Sequence, residues 1–208
     1  MLKIKIGLLL LFVFLLTAHN CFAEDYRLYS KFSKNIKYDL FFHKYSKQFF
    51  GFYFDWTNFK AQAIAESKLD PYAESYVGAK GVMQIMPRTF DEIKLRNKTI
   101  KGPVHDPKTN IRAGIWYDRH IWRNWSRKKT LQDRIDFMMA SYNAGRGHII
   151  NAQKICIAEP EIYGDPNSWE CIKNTLHMIT GRHSKETKTY VKRIRGIRDT
   201  VLKRNGGS

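Results

Sequence analysis

Apolar side chains recur along this chain at the three- and four-residue spacing of helices. The clearest run is Tyr38, Phe41, Phe42, Tyr45 and Phe49, which would share one face of a helix. No stretch alternates polar and apolar residues with a period of two for long enough to form a sheet. The spacing therefore predicts an all-α globular domain.

Proline and capping residues predict where the helices begin and end. Asp55 is the predicted N-cap of the helix that contains Glu66. Pro71 is its predicted end, because the residue before a proline avoids helical geometry. Pro87 is expected at the first position of a short helix through Ile93. Further helices are predicted from Asn110 (as the cap) to Trp125, from Leu131 to Tyr142, from Gly147 to Cys156, from Trp169 to Ile179 and from Glu186 to Lys203, with loops over 94–108 and 160–168.

Residues 1–23 have the organisation of a signal peptide. Lys3 and Lys5 form a basic start, residues 6–18 carry no charge, and Ala23 ends a stretch suited to cleavage. The uncharged run is shorter than the about 20 residues that span a bilayer. We therefore expect cleavage and export to the periplasm, with an uncleaved membrane anchor as the alternative.

The charge of the chain favours an anionic partner. The formal net charge is +17, or +15 without Lys3 and Lys5. Long-range attraction then favours cell-wall polymers or an anionic membrane surface. Nucleic acid is not expected, because export removes the chain from the genome and no nucleic-acid motif accompanies the charge. A merely solvated basic surface is the alternative reading of the same residues.

Cysteine and histidine usage agrees with an exported protein that binds no metal. Without the signal peptide, Cys156 and Cys171 are the only cysteines left. In an oxidising compartment they should form a disulfide, which stabilises the fold by about 3 kcal/mol in the chain-entropy model. Two reduced, buried thiols are the alternative. The 7 histidines are scattered, with no His-Glu-x-x-His motif and no paired Cys-x-x-Cys motif, so we expect no metal site.

Glu66 is the first candidate for chemistry. It ends an apolar helical run and is followed closely by a loop rich in glycine and methionine, over 78–87. Burial against apolar groups disfavours the charged form of a carboxyl, so such an acid can stay protonated near neutral pH and donate its proton. An ordinary surface glutamate at a helix end is the alternative.

Four segments occur in order along the chain. They are Glu66-Ser67 through Pro71; Ser75 with Gly78-Ala79 and Gly81-Val82-Met83-Gln84-Ile85-Met86-Pro87; Ser141-Tyr142-Asn143-Ala144-Gly145; and Glu186-Thr187 with Tyr190-Val191. Together they resemble the catalytic module of the lytic transglycosylases, within the goose-lysozyme-like superfamily. Phe54-Asp55-Trp56 and Trp169 are most similar to the membrane-bound F type of that family. Val82 and Ser141 depart from the usual leucine and alanine.

The resemblance covers roughly Tyr38 to Ile197 and implies a lysozyme-like helical fold. Without residues 1–23, residues 24–208 are enough for one such domain with a real core. The resemblance also implies a peptidoglycan substrate, cut between N-acetylmuramic acid and N-acetylglucosamine without cofactor or metal, by an enzyme that we expect to be monomeric. Glu66 would be the catalytic acid and base. Seven further residues are implied to line the groove for sugar and peptide: Ser75, Gln84, Met86, Tyr142, Asn143, Glu186 and Tyr190.

Most of these groove residues also have an ordinary structural explanation. Tyr142 and Tyr190 could belong to the core, and Asn143 could cap a helix. Glu186 could be a carboxylate favoured by a helix start, and Ser75 could bond within its own turn. These alternatives stay open from the sequence.

The number of catalytic carboxylates decides the expected product. Asp70 lies four residues after Glu66, but Pro71 should turn its backbone outward. With Glu66 alone, the resemblance implies that the muramic 6-hydroxyl attacks its own anomeric carbon and leaves 1,6-anhydro ends. A lysozyme-type hydrolase and a non-catalytic wall-binding protein are the competing readings.

Overall fold

The structure, a computed structural model, describes residues 31–205, so the predicted signal peptide lies outside the described residues. The helices are α1 (Asp39–Phe50), α2 (Thr57–Ser67), α3 (Pro87–Arg96), α4 (Pro107–Trp122), α5 (Leu131–Ala144), α6 (Arg146–Ala158), α7 (Pro160–Tyr163), α8 (Trp169–Thr180) and α9 (Ser184–Asn205). Single turns of 3₁₀ helix follow α4 (Arg123–Trp125) and α8 (Gly181–His183). Within the described range, β-structure is limited to two isolated bridges, Glu74 to Lys80 and Lys80 to Ile85. The all-α prediction is confirmed.

Side-chain caps fix several helix starts. The Asp106 carboxylate accepts from Thr109 N at 2.8 Å and caps α4, where Pro107 takes the first helical position. The prediction that Asn110 caps this helix is therefore wrong, because Asn110 lies inside α4. The Asp55 carboxylate accepts from Thr57 N at 3.0 Å just before α2, although Trp56 is the cap residue by position.

The end of α2 differs from the prediction. The helix stops at Ser67 because Lys68 and Leu69 adopt left-handed backbone angles, with φ of 56° and 67°. The chain has thus turned before it reaches Pro71, and the proline is not the cause of the helix end. Two smaller differences are that α3 continues to Arg96 and that α7 occupies part of a predicted loop.

Helix α2 is the centre of the fold. Every residue from 57 to 64 is buried, including Lys60, whose ammonium lies 2.7 Å from Asp39 on α1. Helix α9 packs along α2, while α1 packs on α4. A helix surrounded in this way holds its last turn in a fixed place, and that turn contains Glu66.

The predicted disulfide is present. Cys156 on α6 and Cys171 on α8 are bonded, with their Cα atoms 6.2 Å apart and both side chains buried. These two helices pack closely along each other. Across the described residues, no helix has the length and apolar character that crossing a membrane would need.

Candidate active site

Glu66 lies in the last turn of α2, where the helix leaves the core. Its side chain is partly exposed, whereas Ile64 two residues earlier is fully buried. The hydroxyl of Tyr190 on α9 donates to Glu66 Oε1 at 2.6 Å. The packing of α9 on α2 thus brings a hydroxyl from the far end of the chain onto the carboxyl.

The environment of Glu66 favours its protonated form. Burial raises the pKa of Glu66 from its ordinary value of 4.5 to about 7, the Tyr190 hydrogen bond opposes this, and the negative charge of Glu186 adds to it. Near neutral pH the protonated and the ionised forms of the carboxyl are therefore both accessible. A group in this state can give up a proton and take one back.

Hydrogen bonds from Ser67 on α2 and Asn110 on α4 clamp the loop between α2 and α3. Ser67 Oγ donates to the Val82 carbonyl at 2.8 Å. The buried Asn110 side chain accepts from Met83 N at 2.7 Å and donates to the carbonyls of Lys80 and Val104 at 3.1 and 2.8 Å. One amide therefore bonds to three backbone groups and joins the loop between α2 and α3 to the loop that precedes α4.

Two glycines make this clamp possible. A Cβ on Gly81, whose φ is +78°, would lie 2.5 Å from the Asn110 amide nitrogen. A Cβ on Gly114 in α4 would lie 2.8 Å from the Met83 side chain. Only glycine allows the loop to approach α4 this closely.

Tyr142 supports the same loop from α5. Its hydroxyl donates to the Met83 carbonyl at 2.7 Å, and its ring meets Tyr117 edge to face at 5.6 Å. Burial raises the pKa of Tyr142 well above its ordinary value, so it remains a neutral donor. In this structure the hydroxyl contacts the loop backbone, not the Glu66 carboxyl.

The loop residues bond mainly among themselves. The Gln84 amide donates to the carbonyls of Ala73 and Gly81 at 3.0 and 2.9 Å, and Gln84 has a φ of +45°. The Ser75 hydroxyl accepts from Ala79 N at 2.9 Å. Met86 is 41% exposed at the start of α3. These contacts give the loop a defined shape and leave Met86 open to a ligand.

The start of α9 forms the opposite wall. Thr187 Oγ1 donates to Asn143 Oδ1 at 2.8 Å and fixes the amide at the end of α5. A pocket of about 460 Å³ beside the catalytic candidate is lined by Ala65, Glu66, Asn143, Arg182, Lys185, Glu186, Thr189, Tyr190 and Arg193. A second pocket of about 360 Å³ shares Asn143 and Glu186 with it. The two form one groove with a basic rim.

The structure brings half of the predicted site residues to this groove. Glu66, Asn143, Glu186 and Tyr190 line it. Ser75, Gln84, Met86 and Tyr142 line neither of its two pockets: the first three lie on the clamped loop, and Tyr142 lies behind that loop. The site is thus one groove with one supporting loop.

Asp70 is not positioned as a second catalytic carboxylate. It is exposed, and its Oδ1 accepts from Tyr72 N at 2.9 Å in a local turn. Among the residues that the structure describes, no three His, Cys, Asp or Glu side chains are grouped as a metal site would require.

Three supporting residues were missed from the sequence. Ser67 and Thr187 each follow a predicted site residue, but a lone hydroxyl gives no signal of its distant partner. Asn110 precedes an apolar helical run, and this pattern is equally typical of a helix cap. The two glycines opposite Asn110 and Met83 were the available hint, because glycine often marks a close backbone approach.

Comparisons with known proteins show the family and the fold of this chain. Residues 50–160 match the family model described as Transglycosylase SLT domain. Two proteins named membrane-bound lytic murein transglycosylase F are similar: that of Desulfosudis oleivorans is 32% identical over 66% of this chain and 28% of its own length. That of Vibrio vulnificus is 28% identical over 82% of this chain and 32% of its own length. The chain thus spans about a third or less of these relatives.

Two solved structures share the fold. The 70 kDa soluble lytic transglycosylase of Escherichia coli matches with a TM-score of 0.61 and 23% identity, over 83% of this chain and 25% of that one. The lytic transglycosylase Slt of Pseudomonas aeruginosa, as an inactive variant with glutamine in place of a glutamate, matches with a TM-score of 0.63 and 21% identity over the same fractions.

Proposed function

Because the chain belongs to the Transglycosylase SLT domain family, we propose that it is a peptidoglycan lytic transglycosylase that cuts between N-acetylmuramic acid and N-acetylglucosamine. The observation that carries the proposal is the partly buried Glu66 carboxyl at the end of α2, held by Tyr190 and with a pKa of about 7. The names of the relatives support the substrate, and the inactive glutamine variant of the Pseudomonas protein supports a catalytic glutamate.

In the first step, protonated Glu66 gives its proton to the glycosidic oxygen. The bond between that oxygen and the muramic anomeric carbon then breaks, the N-acetylglucosamine side leaves as an alcohol, and positive charge develops on the muramic ring. The Tyr190 hydroxyl stays bonded to Oε1 and stabilises the new carboxylate.

In the second step, the Glu66 carboxylate takes the proton of the muramic 6-hydroxyl. That oxygen closes on the anomeric carbon and forms a 1,6-anhydro ring, so no water is consumed and Glu66 is protonated again. An attacker within the same sugar has an effective molarity of up to about 10⁵–10⁸ M in favourable geometry. The solvent-facing position of Asp70 supports a mechanism with one carboxylate.

We assign the remaining predicted residues to substrate and support. Asn143 and Glu186 would contact sugar or peptide in the groove, and Met86 would give an apolar wall at its edge. Gln84 and Ser75 would fix the shape of the loop that faces the substrate, and Tyr142 would hold this loop through its hydrogen bond to the Met83 carbonyl. The basic rim suits the carboxylates of peptide stems or an anionic membrane surface.

Location and assembly complete the proposal. Residues 1–23 would be a cleaved signal peptide, and residues 24–208 would form a monomeric domain that acts in the periplasm. The family name of the relatives supports an association with the membrane.

Mass analysis of the products that the protein releases from purified cell-wall sacculi tests the function. We expect muropeptides with 1,6-anhydro ends, each lighter by one water than the hydrolysis product in mass analysis, and none from Glu66→Gln. Predominantly reducing ends would establish a lysozyme-type hydrolase instead. Retained binding to sacculi without any cleavage by the unmodified protein would favour a non-catalytic wall-binding protein.

A further inference from the structure

Asp118 on α4 is a fully buried carboxyl that the proposed reaction does not use. It is 0% exposed, and among the described residues its side chain has one hydrogen bond, from Gln62 Nε2 to Asp118 Oδ1 at 3.4 Å. Gln62 on α2 is also 0% exposed. Within the part of the chain that the structure describes, no cationic side chain forms an ion pair with Asp118.

Two oxygens of this pair are left without partners. Asp118 Oδ2 and Gln62 Oε1 are both buried, and neither accepts a hydrogen bond from any residue that the structure describes. An ionised carboxylate and an amide oxygen are acceptors only, so they cannot satisfy each other. Leaving them unpaired would be costly, because a buried polar group without a partner loses its hydration and gains nothing.

One proton satisfies both oxygens. A protonated Asp118 has an O–H that can donate to Gln62 Oε1, while the Gln62 N–H donates to the other carboxyl oxygen. The two bonds close a ring between an acid and an amide. Rotating the amide by half a turn exchanges the two bonds and still requires the proton, so the choice of amide orientation does not matter.

The electrostatic surroundings favour the same state. Burial raises the pKa of Asp118 well above its ordinary value, the Gln62 hydrogen bond opposes this, and the charge of Glu66 adds to it. Among the described residues, four titratable groups interact with Asp118. They are Tyr117, which precedes it on α4, Glu66 on α2, Tyr142 on α5 and Tyr190 on α9. None of these groups brings a positive charge.

The pair lies directly behind the catalytic candidate. Gln62 precedes Glu66 by four residues, so both lie on the same face of α2. We propose that Asp118 is a neutral carboxylic acid in the folded protein, bonded in a ring to the Gln62 amide, and that this uncharged pair is a positioning element that lets Glu66 both lose and regain its proton. The role for Glu66 depends on the proposed function, whereas the protonation of Asp118 does not.

The reason for the positioning role is charge repulsion. A negative Asp118 would place a second buried charge near Glu66 and would hold the Glu66 proton more tightly. The acid would then release its proton less readily to the glycosidic oxygen. A neutral pair fills the same space, fixes the turn of α2 that precedes Glu66, and adds no such penalty.

Thermal unfolding of Glu66→Gln and of the double variant Glu66→Gln, Asp118→Asn tests the protonation without any need for activity. In the unfolded chain Asp118 ionises with a pKa of about 3.9. Folding above that pH must then bind one proton at Asp118, so stability falls as pH rises wherever the folded chain binds more protons. Asparagine removes this dependence and keeps the shape.

We expect the melting temperature of the double variant to rise above that of Glu66→Gln as the pH increases from about 4 to 7, since one proton changes the ratio of the two folding constants by about tenfold per pH unit. Infrared spectra should show a protonated carboxyl at pH 7 that the double variant lacks. Melting curves that stay parallel over this pH range, with no such carboxyl signal, would overturn the proposal.

A rescue experiment tests the positioning role in the active enzyme. Asp118→Ala breaks the ring and should lower kcat on sacculi, and Asp118→Asn, which can bond to Gln62 in the same way, should restore it without moving the alkaline limb of the pH profile. A limb that moves to lower pH in Asp118→Asn would mean that a negative charge had been removed, and the neutral pair would be wrong. If the alanine variant does not fold, the limb of the asparagine variant decides.

Discussion

Two buried aspartates on neighbouring helices, Asp136 and Asp118, have partners of different charge. Asp136 on α5 is 1% exposed, and the Arg195 guanidinium from α9 contacts both of its oxygens, with Nε to Oδ1 at 2.8 Å. Gln132 donates to the same oxygen at 3.1 Å. Asp118 on α4 is just as buried, yet it has an amide as its partner instead of a guanidinium.

The difference shows what decides the charge of a buried carboxyl in this protein. Burial raises the pKa of both Asp118 and Asp136. At Asp136 the hydrogen bonds and charge of Arg195 oppose burial, and the pKa of Arg195 itself is raised by the contact. We take Asp136 to be ionised, because a bidentate guanidinium satisfies both oxygens.

Glu66 belongs with Asp118 in this comparison. The cations of its groove, Arg182, Lys185 and Arg193, line the rim, and the charge that shifts the pKa of Glu66 is the negative one of Glu186. Although the chain is strongly basic, the charge that acts on the proposed catalytic carboxyl is a negative one. Burial is the main cause that raises the pKa of Glu66 to about 7, and among the described residues no cation is a cause that lowers it.

Replacing Glu66 by glutamine should produce the largest effect. A general acid supplies roughly 10²–10⁴-fold in rate, so we expect at least a hundredfold loss of sacculus lysis. Folding should not suffer. The raised pKa makes wild type lose stability as the pH rises from 4.5 through about 7, and glutamine removes this loss.

Melting temperatures of wild type and Glu66→Gln at several pH values check this sign. The melting temperature of the glutamine variant should rise relative to that of wild type as the pH increases. Lysis at a rate near that of wild type would remove Glu66 from the mechanism altogether.

Breaking the ion pair between Arg195 and Asp136 should mainly lower the stability of the fold. Arg195→Met leaves the buried Asp136 without its cation, and because Arg195 is 43% exposed we expect a loss of about 2 kcal/mol, below the 3–5 kcal/mol of a fully buried pair. Denaturant unfolding at pH 7 measures it. The double variant Arg195→Met, Asp136→Asn should recover part of the loss, and simple additivity would show that the two side chains do not interact.

The helical periodicity predicted the fold because burial decides it. Each amphipathic run became a helix, since its apolar face had to pack on α2 or its neighbours. The boundaries failed where tertiary contacts overrode local preference. Lys68 and Leu69 are poor candidates for left-handed angles, yet they adopt them where Ser67 is bonded to Val82 in the following loop.

The site could be predicted only as far as its motifs. Tyr190 lies 124 residues from Glu66, and Asp118 lies 56 residues from Gln62. No local pattern connects such residues; only the packing of α9 and α4 on α2 does. The sequence analysis therefore proposed Glu66 and expected Tyr190 only as a residue that lines the groove, whereas in the structure the Tyr190 hydroxyl also donates to the Glu66 carboxyl.

Glu186 sharpens the comparison, because its charge adds to the effect of burial on Glu66. Glu186→Gln removes a negative charge that raises the pKa of Glu66. The alkaline limb of kcat/KM should therefore move to lower pH, with a smaller active fraction above pH 7 and little change in acid. Glu161→Gln on α7, an exposed control away from the groove, should leave the limb in place. If Glu186→Gln instead lowered the rate of lysis as much as Glu66→Gln does, Glu186 would be a second catalytic carboxylate.

Asp70→Asn should have the smallest effect, and it tests the same distinction at an exposed carboxylate. Asp70 is the acid nearest to Glu66 on its C-terminal side in the sequence, but it is exposed and accepts one hydrogen bond from the backbone of Tyr72. Asparagine keeps that acceptor, so the turn should survive. Because water already screens the charge, its removal should change neither the rate of lysis nor the pH profile beyond assay error. A loss comparable to that of Glu66→Gln would show that Asp70 reaches the groove during the reaction. The one-carboxylate mechanism would then be wrong, since a carboxylate that activates water, not the muramic hydroxyl, would complete the cleavage.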